Sequence, residues 1–408
     1  MTTIEANETS HLPTYNVEAL MESRQERGKF VPQTIFTLQK NLGGLYRDLA
    51  PQDEIRPLSQ GTMRYTDGKA TWGFVEIDGT VGRIDEATGE PERVRFTDHA
   101  YRQLAEKVLG SGGLKFIERQ RTSGETGVKM ATINWMERLT HADKACLFRT
   151  IQLPGHDFRT VRGVLSGSFT TNLDHLDVVG LLAEHEEFSQ LPIISWKVTA
   201  DSMRIRGLLN PADSFLFDEN GRPTDPELVR ARIPVPMFEI GNGEIGNQSV
   251  SLRSGAYTYA CLNGMGGWGD TSFTQRWNHV GGDTKAEKVQ GAIGDALKSA
   301  RVVSAGIVDR FRDATQVAVD DAFALLEAWG SKAGHITAKQ ARRATLGAMD
   351  ATSYPGRNLA NVVSGITLAA QDESSIQDQR HMEAFASRLM ERGLRAGDAT
   401  GAIVIPTA

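Results

Sequence analysis

Cysteine is scarce in this sequence of 408 residues, and its scarcity excludes one class of protein. The two cysteines, Cys146 and Cys261, lie far apart and in different segments. They supply neither the disulfide framework of a small secreted protein nor a closely spaced pair that would bind zinc. We expect each to be a small buried side chain.

Long apolar runs are also missing. No stretch of 18 or more apolar residues occurs, and the first thirty residues lack the basic start and apolar core of a signal peptide. We therefore expect a protein that does not enter a membrane and that is located in the cytoplasm.

The common catalytic and cofactor motifs are absent as well. The phosphate-binding pattern GxxxxGK[ST] does not occur, and none of the nine histidines belongs to an HExxH motif. The segment GNGEIG at 241–246 fits Gly-x-Gly-x-x-Gly, but strand-like residues follow it where a dinucleotide-binding loop needs a helix. We expect no cofactor and no metal site.

Positive charge is in deficit, because 45 lysines and arginines face 51 acidic residues and leave a net charge of −6. This balance excludes a protein coated with cations for nucleic acid. It leaves room for a local basic groove, because the distribution of charge decides where an anion binds.

Three regions can be distinguished along the chain. Residues 1–35 form a polar arm of mixed charge, residues 36–282 carry strand-like and helical segments, and residues 283–408 are rich in alanine and helical in pattern. The sequence predicts strand-like pieces over 36–90 and helices that begin at Thr97, near Asn172 or Asp174, and at Thr337. We predict an α+β fold with a central antiparallel β-sheet, flanking helices and a helical C-terminal region.

Glycine and asparagine are what the sequence has in unusual density, between residues 240 and 268. Both residue types suit tight turns, and Ser249, Ser251 and Arg253 alternate with Val250 and Leu252 as in a half-buried strand. A turn at 253–255 and a second alternating run at 257–261 complete the pattern. The segment predicts a β-hairpin.

Several short motifs follow one another in an order that carries a family resemblance. They are FRT at 148–150, VRGVLS at 161–166, a helix from Asn172, EIGNQS at 244–249, YACLNGM at 259–265 and HVG at 279–281. This order resembles the phage- and plasmid-borne family called domain of unknown function 932, and the likeness covers roughly residues 145–375. The resemblance implies a bacteriophage or other mobile-element protein, which would work in the host cytoplasm. It implies no established reaction and no catalytic residue.

Cations recur in three segments, and polar side chains accompany them in the hairpin. The candidate nucleic-acid-binding residues are Lys115, Arg119, Arg121, Lys129, Arg159, Arg162, Trp196, Lys197, Arg204, Arg206, Asn247, Arg253 and Asn263. On a strand Arg204 and Arg206 share a face, and Lys197 lies opposite them across a strand pair. A simpler interpretation is a set of solvated charges balanced by Glu118, Glu125 and Asp201.

Our leading hypothesis is non-enzymatic, oligomeric binding of single-stranded DNA, of the annealing type, in replication or recombination. It needs a positive groove with stacking aromatic residues. One alternative is a phage structural or assembly protein, whose long alanine-rich helix could pack on the body of the chain or on another subunit. Another is a metal-dependent nuclease built on two polar groups, Asp174, His175 and Asp177 in the first and Glu184, His185, Glu186 and Glu187 in the second.

Overall fold

The protein has the predicted α+β fold, with two large β-sheets rather than one central sheet. The structure, a computed structural model, describes residues 34–57, 63–66, 69–72, 80–84, 91–110, 145–152, 159–169, 173–199, 202–210, 235–258, 263–266, 274–278, 285–350, 357–373, 376–397 and 402–403. The predicted arm at 1–35 lies almost wholly outside these residues.

The first sheet has five strands in the order β1-β6-β7-β5-β4. Its strands are β1 Gln52–Pro57, β4 Thr80–Ile84, β5 Pro91–Phe96, β6 Ala145–Gln152 and β7 Arg159–Ser166. All neighbours are antiparallel except β5 and β7, which are parallel. A separate hairpin joins β2 Met63–Thr66 to β3 Lys69–Trp72. The strand-like pieces expected over residues 36–90 therefore include four real strands, β1 to β4.

The second sheet has six antiparallel strands and contains the glycine-rich hairpin. Its strands are β8 Ile193–Val198, β9 Met203–Leu208, β10 Val235–Asn242, β11 Val250–Thr258, β12 Asn263–Gly266 and β13 Thr274–Trp277. They follow the order β8-β9-β10-β11, after which β12 and β13 pair with different halves of β11. One face of this sheet is apolar, with Ile205, Phe238, Ile240 and Leu252 fully or almost fully buried.

A β-hairpin lies in this segment, but it is not the predicted one, because the run at 249–253 and the start of the run at 257–261 belong to one continuous strand, β11. Strands β10 and β11 pair from Gly241 and Ser251 to Val235 and Tyr257, so the turn spans 243–249. Residues 253–255, expected to turn, continue β11 without interruption. The glycines and asparagines of 241–247 supply the turn, and Gly246 has the positive φ of 77° that favours glycine.

Helix α1, Ile35–Leu49, occupies a stretch for which the sequence pattern indicated strands. Thr34 caps it by accepting a hydrogen bond from the backbone N–H of Thr37. Ile35, Leu38 and Leu42 are completely buried and share one helix face. Burial of this face stabilises a helix that Gly43 and Gly44 would weaken in isolation.

Several predicted helix starts are confirmed. Helix α2, Asp98–Leu109, is capped by Thr97, which accepts from the N–H of Ala100. Helix α3, His175–Glu184, begins after Asp174. The backbone N–H of Asp174 donates to the carboxylate of Asp177, as in a capping box. A one-turn helix, α4 Glu186–Ser189, follows it.

The C-terminal region is helical, as predicted. Helix α5, Lys285–Ala314, is followed by α6 Ala322–Leu326 with a π-turn at Glu327–Ser331, α7 Ala338–Asp350, α8 Leu359–Gln371 and α9 Ile376–Gly397. Thr337 caps α7 through the N–H of Gln340. A short parallel pair joins β14 Ala318–Val319 to β15 Ala402–Ile403.

Two hydrophobic cores lie along the molecule, and α5 contributes to both. Its first half places Val289, Ile293 and Leu297 in a core with α1, α3 and the apolar face of the second sheet. Its second half joins a core formed by α6 to α9. Val289, Ile293 and Leu297 therefore pack on the body of the chain, which is one of the two placements expected for this helix, whereas Val302 is 75% exposed.

Candidate functional site

The face of the second sheet opposite the apolar core is polar. Two rows of residues run across its strands, one residue from each of β8, β9, β10, β11 and β13. The first row is Ser195, Arg206, Glu239, Arg253 and Thr274, and the second row is Lys197, Arg204, Gly241, Ser251 and Arg276. Residues paired across strands lie on the same face, so the rows form one surface.

Helix α9 covers the middle of these rows and exchanges ion pairs with them. Its residue Glu383 accepts hydrogen bonds from both Arg204 and Arg206. Gln379 accepts from Arg204 Nη1 at 2.9 Å, and Arg380 Nε donates to Glu239 at 3.0 Å. These contacts attach the C-terminal helix to the sheet through charge rather than through apolar packing.

We call the charged side chains at this contact the polar interface. They are Arg204, Arg206, Glu239, Arg253, Arg380 and Glu383, all of which are buried. Four guanidinium groups therefore face two carboxylates. Burying a charge is costly unless an opposite charge pairs with it. Because arginines outnumber glutamates here, the polar interface has an uncompensated positive potential.

The pKa values of these groups reflect the imbalance. Burial opposes ionisation of Glu239, but Arg204, Arg380 and Arg253 outweigh it and lower its pKa to about 2. Burial and the neighbouring Arg380 lower the pKa of Arg253 to about 9. Burial, with the charge of Glu239, raises the pKa of Glu383 to about 8 despite the attraction of Arg204. Glu239 is therefore the carboxylate that stays ionised across the ordinary pH range.

A second buried cluster lies on the other side of the hairpin turn, and we call it the Glu244 network. The carboxylate of Glu244 accepts hydrogen bonds from Tyr46 Oη, Arg162 Nη1 and, at 2.6 Å, the backbone N–H of His175. These contacts, led by the charge of Arg162 acting against burial, hold the pKa of Glu244 well below its usual range. Burial and the charge of Glu244 raise the pKa of Tyr46.

Arg149 extends the Glu244 network toward the first sheet. Its guanidinium binds both oxygens of Asp53 at 3.0 Å, both oxygens of Asp174, and the carbonyl of Glu244 at 2.8 Å. Burial raises the pKa of Asp174 to about 7 even though Arg149 opposes the change. The network thus joins α1, α3 and both large sheets.

The glycine-rich turn connects the two clusters. Glu244 lies in the Glu244 network, and Gln248, four residues later, accepts from Arg380 of the polar interface. Gln103 of α2 donates to the carbonyl of Ile245 at 2.6 Å between them. The turn is therefore held from three sides by side chains of distant segments.

No protein-family model, curated protein or solved structure matches this chain. The likeness to the mobile-element family consequently stays a prediction. The function is inferred from the residues and their geometry.

The structure corrects the roles expected of three arginines. Arg204 and Arg206 share a face, as predicted, and Lys197 lies across from Arg204, but both arginines are buried and bind Glu239 and Glu383. Arg162 is buried against Glu244. A guanidinium already bound to a buried carboxylate does not reach a phosphate in solvent, so these three arginines are not placed to contact a phosphate directly.

The remaining candidates divide by position. Lys197 is half-buried on the polar face, whereas Trp196 packs against the apolar core on the opposite face and does not form a stacking platform beside it. Arg253 is buried in the polar interface, and Asn247 is exposed in the turn. Arg159 donates to Thr150 and to the carbonyl of Ala50 in the region of the first sheet. Lys115, Arg119, Arg121 and Lys129, and the side chain of Asn263, lie outside the described residues.

Several of the polar side chains behind the nuclease hypothesis cap helices or bind neighbouring segments of the chain. Asp174 caps α3 and binds Arg149, while His175 is buried and contacts Asn242. His185 caps α4, and Glu187 pairs with Arg301 of α5. In the part of the chain that the structure describes, no group of three His, Cys, Asp or Glu side chains is placed to hold a metal ion.

Sequence reasoning missed Glu239, Glu383, Arg380 and Gln379. Their signal was nonetheless present, since Gln379, Arg380 and Glu383 share one helix face and Glu239 alternates with Phe238 and Ile240 on a strand. Within the described residues, no helix combines the length and apolarity needed to cross a bilayer.

Proposed function

We propose that the protein binds single-stranded nucleic acid without a chemical reaction, as an oligomer, in replication or recombination of a phage or another mobile element. The mobile-element setting rests on the family resemblance. The binding activity rests on one observation, the concentration of cations on the polar face of the second sheet.

Among the residues that the structure describes, this face carries more positive than negative charge. Lys197, Arg204, Arg206, Arg253 and Arg276 of the two rows are joined by Arg380 of α9, whereas Glu239 and Glu383 are the carboxylates that bind there. The whole chain has a net charge of −6, so this excess opposes the average charge of the molecule. A local excess of this kind attracts a polyanion.

Two cations that solvent reaches lie at opposite edges of the face. Lys197 is half-buried on β8, and Arg276 is exposed on β13, at the other end of the rows. With strands about 4.8 Å apart, the two positions are separated by about 19 Å. A flexible strand that contacts both would pass over or beside α9, above the buried arginines.

Each group of cations has a separate task in this proposal. Lys197 and Arg276 contact phosphates directly, whereas the buried arginines supply a fixed positive potential that solvent screens only weakly. Phosphate contacts carry no base information, so the expected binding is independent of sequence.

The test is a titration of fluorescent single-stranded DNA over a salt series. The double variant Lys197→Ala, Arg276→Ala is expected to reduce the slope of log affinity against log salt by about 0.7 for each phosphate that the variant no longer neutralises. The matched control is Lys298→Ala, Arg312→Ala, which removes two cations that are 74% and 67% exposed on α5. The control should keep the wild-type slope.

Absence of binding at low salt would refute the proposal, and equal slopes in the two double variants would refute the assigned surface. Light scattering with and without DNA measures the oligomeric state. A monomer in both conditions would contradict the oligomeric part of the proposal.

A further inference from the structure

Three buried polar groups on the face that carries Gly241 have no hydrogen-bond partner among the described residues. They are Nη2 of Arg380, Nε2 of Gln248 and the hydroxyl of Ser251. Ser251 is the cross-strand partner of Gly241, so it lies on the same face. A Cβ at position 241 would collide with both Arg380 Nη2 and Gln248 Nε2, which therefore lie directly above the glycine.

The surrounding charge makes these groups suited to an anion. The polar interface sets four buried arginines against two buried glutamates. Glu239 is the carboxylate that contacts Arg380 of this group, since Arg380 Nε donates to it at 3.0 Å. Its other oxygen accepts from Arg204 and Arg206, so its charge is already neutralised. An anion at Gly241 would meet little repulsion from it.

We propose that Arg380, Gln248 and Ser251 form a site for a small oxyanion of the phosphate class. Each of the three can donate a hydrogen bond, and a tetrahedral oxyanion offers several acceptor oxygens at once. Arg253 and Arg204 add positive charge from the adjacent strands. The absence of a side chain at Gly241 allows the donors to approach the strand backbone.

The hairpin turn lies on the exposed side of the three donors. Gln248 is half-buried and its neighbour Asn247 is exposed, whereas Arg380 and Ser251 are buried behind them. The site goes beyond the proposed function, because it would take a free oxyanion whether or not a nucleic acid binds. The same chemistry would also accept the terminal phosphate of a strand or of a nucleotide.

The first experiment measures the thermal midpoint of the full-length protein against the concentration of inorganic phosphate. Sodium chloride holds the ionic strength constant, and isothermal titration calorimetry measures the affinity directly. A ligand that binds the folded state raises the midpoint progressively with its concentration. We expect a rise with phosphate that chloride does not produce.

Two variants connect the effect to the site. Gln248→Glu keeps an acceptor for Arg380 Nη1 and places a permanent negative charge among the donors. We expect it to stabilise the protein without phosphate and to weaken phosphate binding by at least about tenfold. Ser251→Ala removes the hydroxyl and should weaken binding without supplying a charge. The control Gln316→Glu makes the same change at an exposed glutamine and should respond to phosphate as the wild type does.

The outcomes separate this proposal from the proposed function. No phosphate effect in the wild type, or an equal effect in Gln248→Glu, would overturn the site. Oligonucleotides with a 5′-phosphate and with a 5′-hydroxyl then identify the source, since tighter binding of the former, abolished in Gln248→Glu, assigns the site to a strand terminus. Equal binding of both, with phosphate binding retained, assigns it to a free oxyanion.

Discussion

At the scale of single residues, Glu239 is the centre of the polar interface. Its carboxylate accepts from Nε of Arg204, from Nε of Arg206 at 3.1 Å and from Nε of Arg380 at 3.0 Å. Three guanidinium groups from two elements thus share this buried carboxylate, and Glu383 binds two of them as well. The geometry explains why Arg204 and Arg206 are held away from solvent.

Replacement of Glu239 by glutamine is expected to lower the free energy of unfolding by about 3–5 kcal/mol, because the buried arginines would lose their shared anion. Urea denaturation measures the change. The matched control is Asp295→Asn, because the carboxylate of Asp295 is 87% exposed beside Lys298. This control should change the free energy of unfolding very little. A loss of less than about 1 kcal/mol in Glu239→Gln would contradict the role given to this residue.

The sequence predicted part of this arrangement at the residue scale. The alternation of Met203, Arg204, Ile205 and Arg206 correctly placed both arginines on one face, with Lys197 opposite Arg204 on the neighbouring strand. It did not indicate their partners, because Glu239 is 35 residues away and Glu383 is 179 residues away from Arg204. Periodicity reports a face of an element, whereas burial depends on what covers that face.

At the scale of elements, the contact between α7 and α8 depends on glycine. A Cβ at Gly365 would collide with the carbonyl oxygen of Ala344 and approach the backbone nitrogen of Ala348 closely. The two helix backbones therefore approach each other so closely at this point that there is no room for a side chain. Small residues are what permit such an approach.

We expect Gly365→Ala to destabilise the protein by about 1–3 kcal/mol, since neither backbone can move without disturbing its helix. Gly291→Ala in α5 is the matched control, because a Cβ there meets no atom within 4 Å. Alanine favours helix over glycine, so the control should gain about 0.5–1 kcal/mol. Chemical denaturation of both variants tests the opposite signs, and equal effects would contradict the contact.

The helix caps were predictable from sequence and α1 was not. Thr97, Asp174 and Thr337 precede their helices and cap them, because a side-chain oxygen before a helix satisfies local backbone donors. Helix α1 contains Gly43 and Gly44, which lower its intrinsic preference. Its apolar face is buried by α3 and the second sheet, and this tertiary contact is not encoded in the local pattern.

At the scale of the whole molecule, the C-terminal helices are joined to the sheet by two different kinds of contact. Helix α5 runs through both hydrophobic cores. Its Ser304 hydroxyl also bridges the N–H of Gly255 and the carbonyl of Met237, each at 3.2 Å. Helix α9 is joined through the ion pairs of the polar interface instead. The second kind of contact makes the stability of the molecule sensitive to pH.

The free energy of unfolding is expected to contain a contribution from Glu383 that decreases as pH rises from about 4.5 to about 8. Burial and Glu239 raise the pKa of Glu383 to about 8 in the folded protein, whereas its ordinary value is 4.5. The folded state then binds the proton more tightly than the unfolded state. The contribution is fully present below about pH 4.5 and is lost as pH approaches 8.

Urea denaturation at several pH values measures this contribution as the difference between the wild type and Glu383→Gln. Glu391→Gln is the control, since Glu391 lies on the same helix but is only partly buried, beside Arg310. A difference between wild type and Glu383→Gln that stays constant from pH 4.5 to 8 would contradict the pKa assigned to Glu383.

The overall α+β class and the helical C-terminal region were predictable, because they depend on local periodicity and composition. The division into two large sheets was not, because it depends on pairings such as the parallel contact of β5 with β7, which are distant in sequence. The candidate site was predictable only as a set of cations on a strand pair. Its conversion into a covered, ion-paired interface required α9, which lies at the far end of the chain.

The alternation of charged and apolar residues in the second sheet has a further consequence for folding. Arg204, Glu239 and Arg253 lie one residue away from Ile205, Ile240 and Leu252, which belong to the apolar core. A strand that paired one residue out of step would exchange the two faces and place charges among aliphatic side chains. Misaligned intermediates are therefore strongly destabilised at each of the central strands. The charges that are costly to bury on the native face thus also favour the native pairing register during folding.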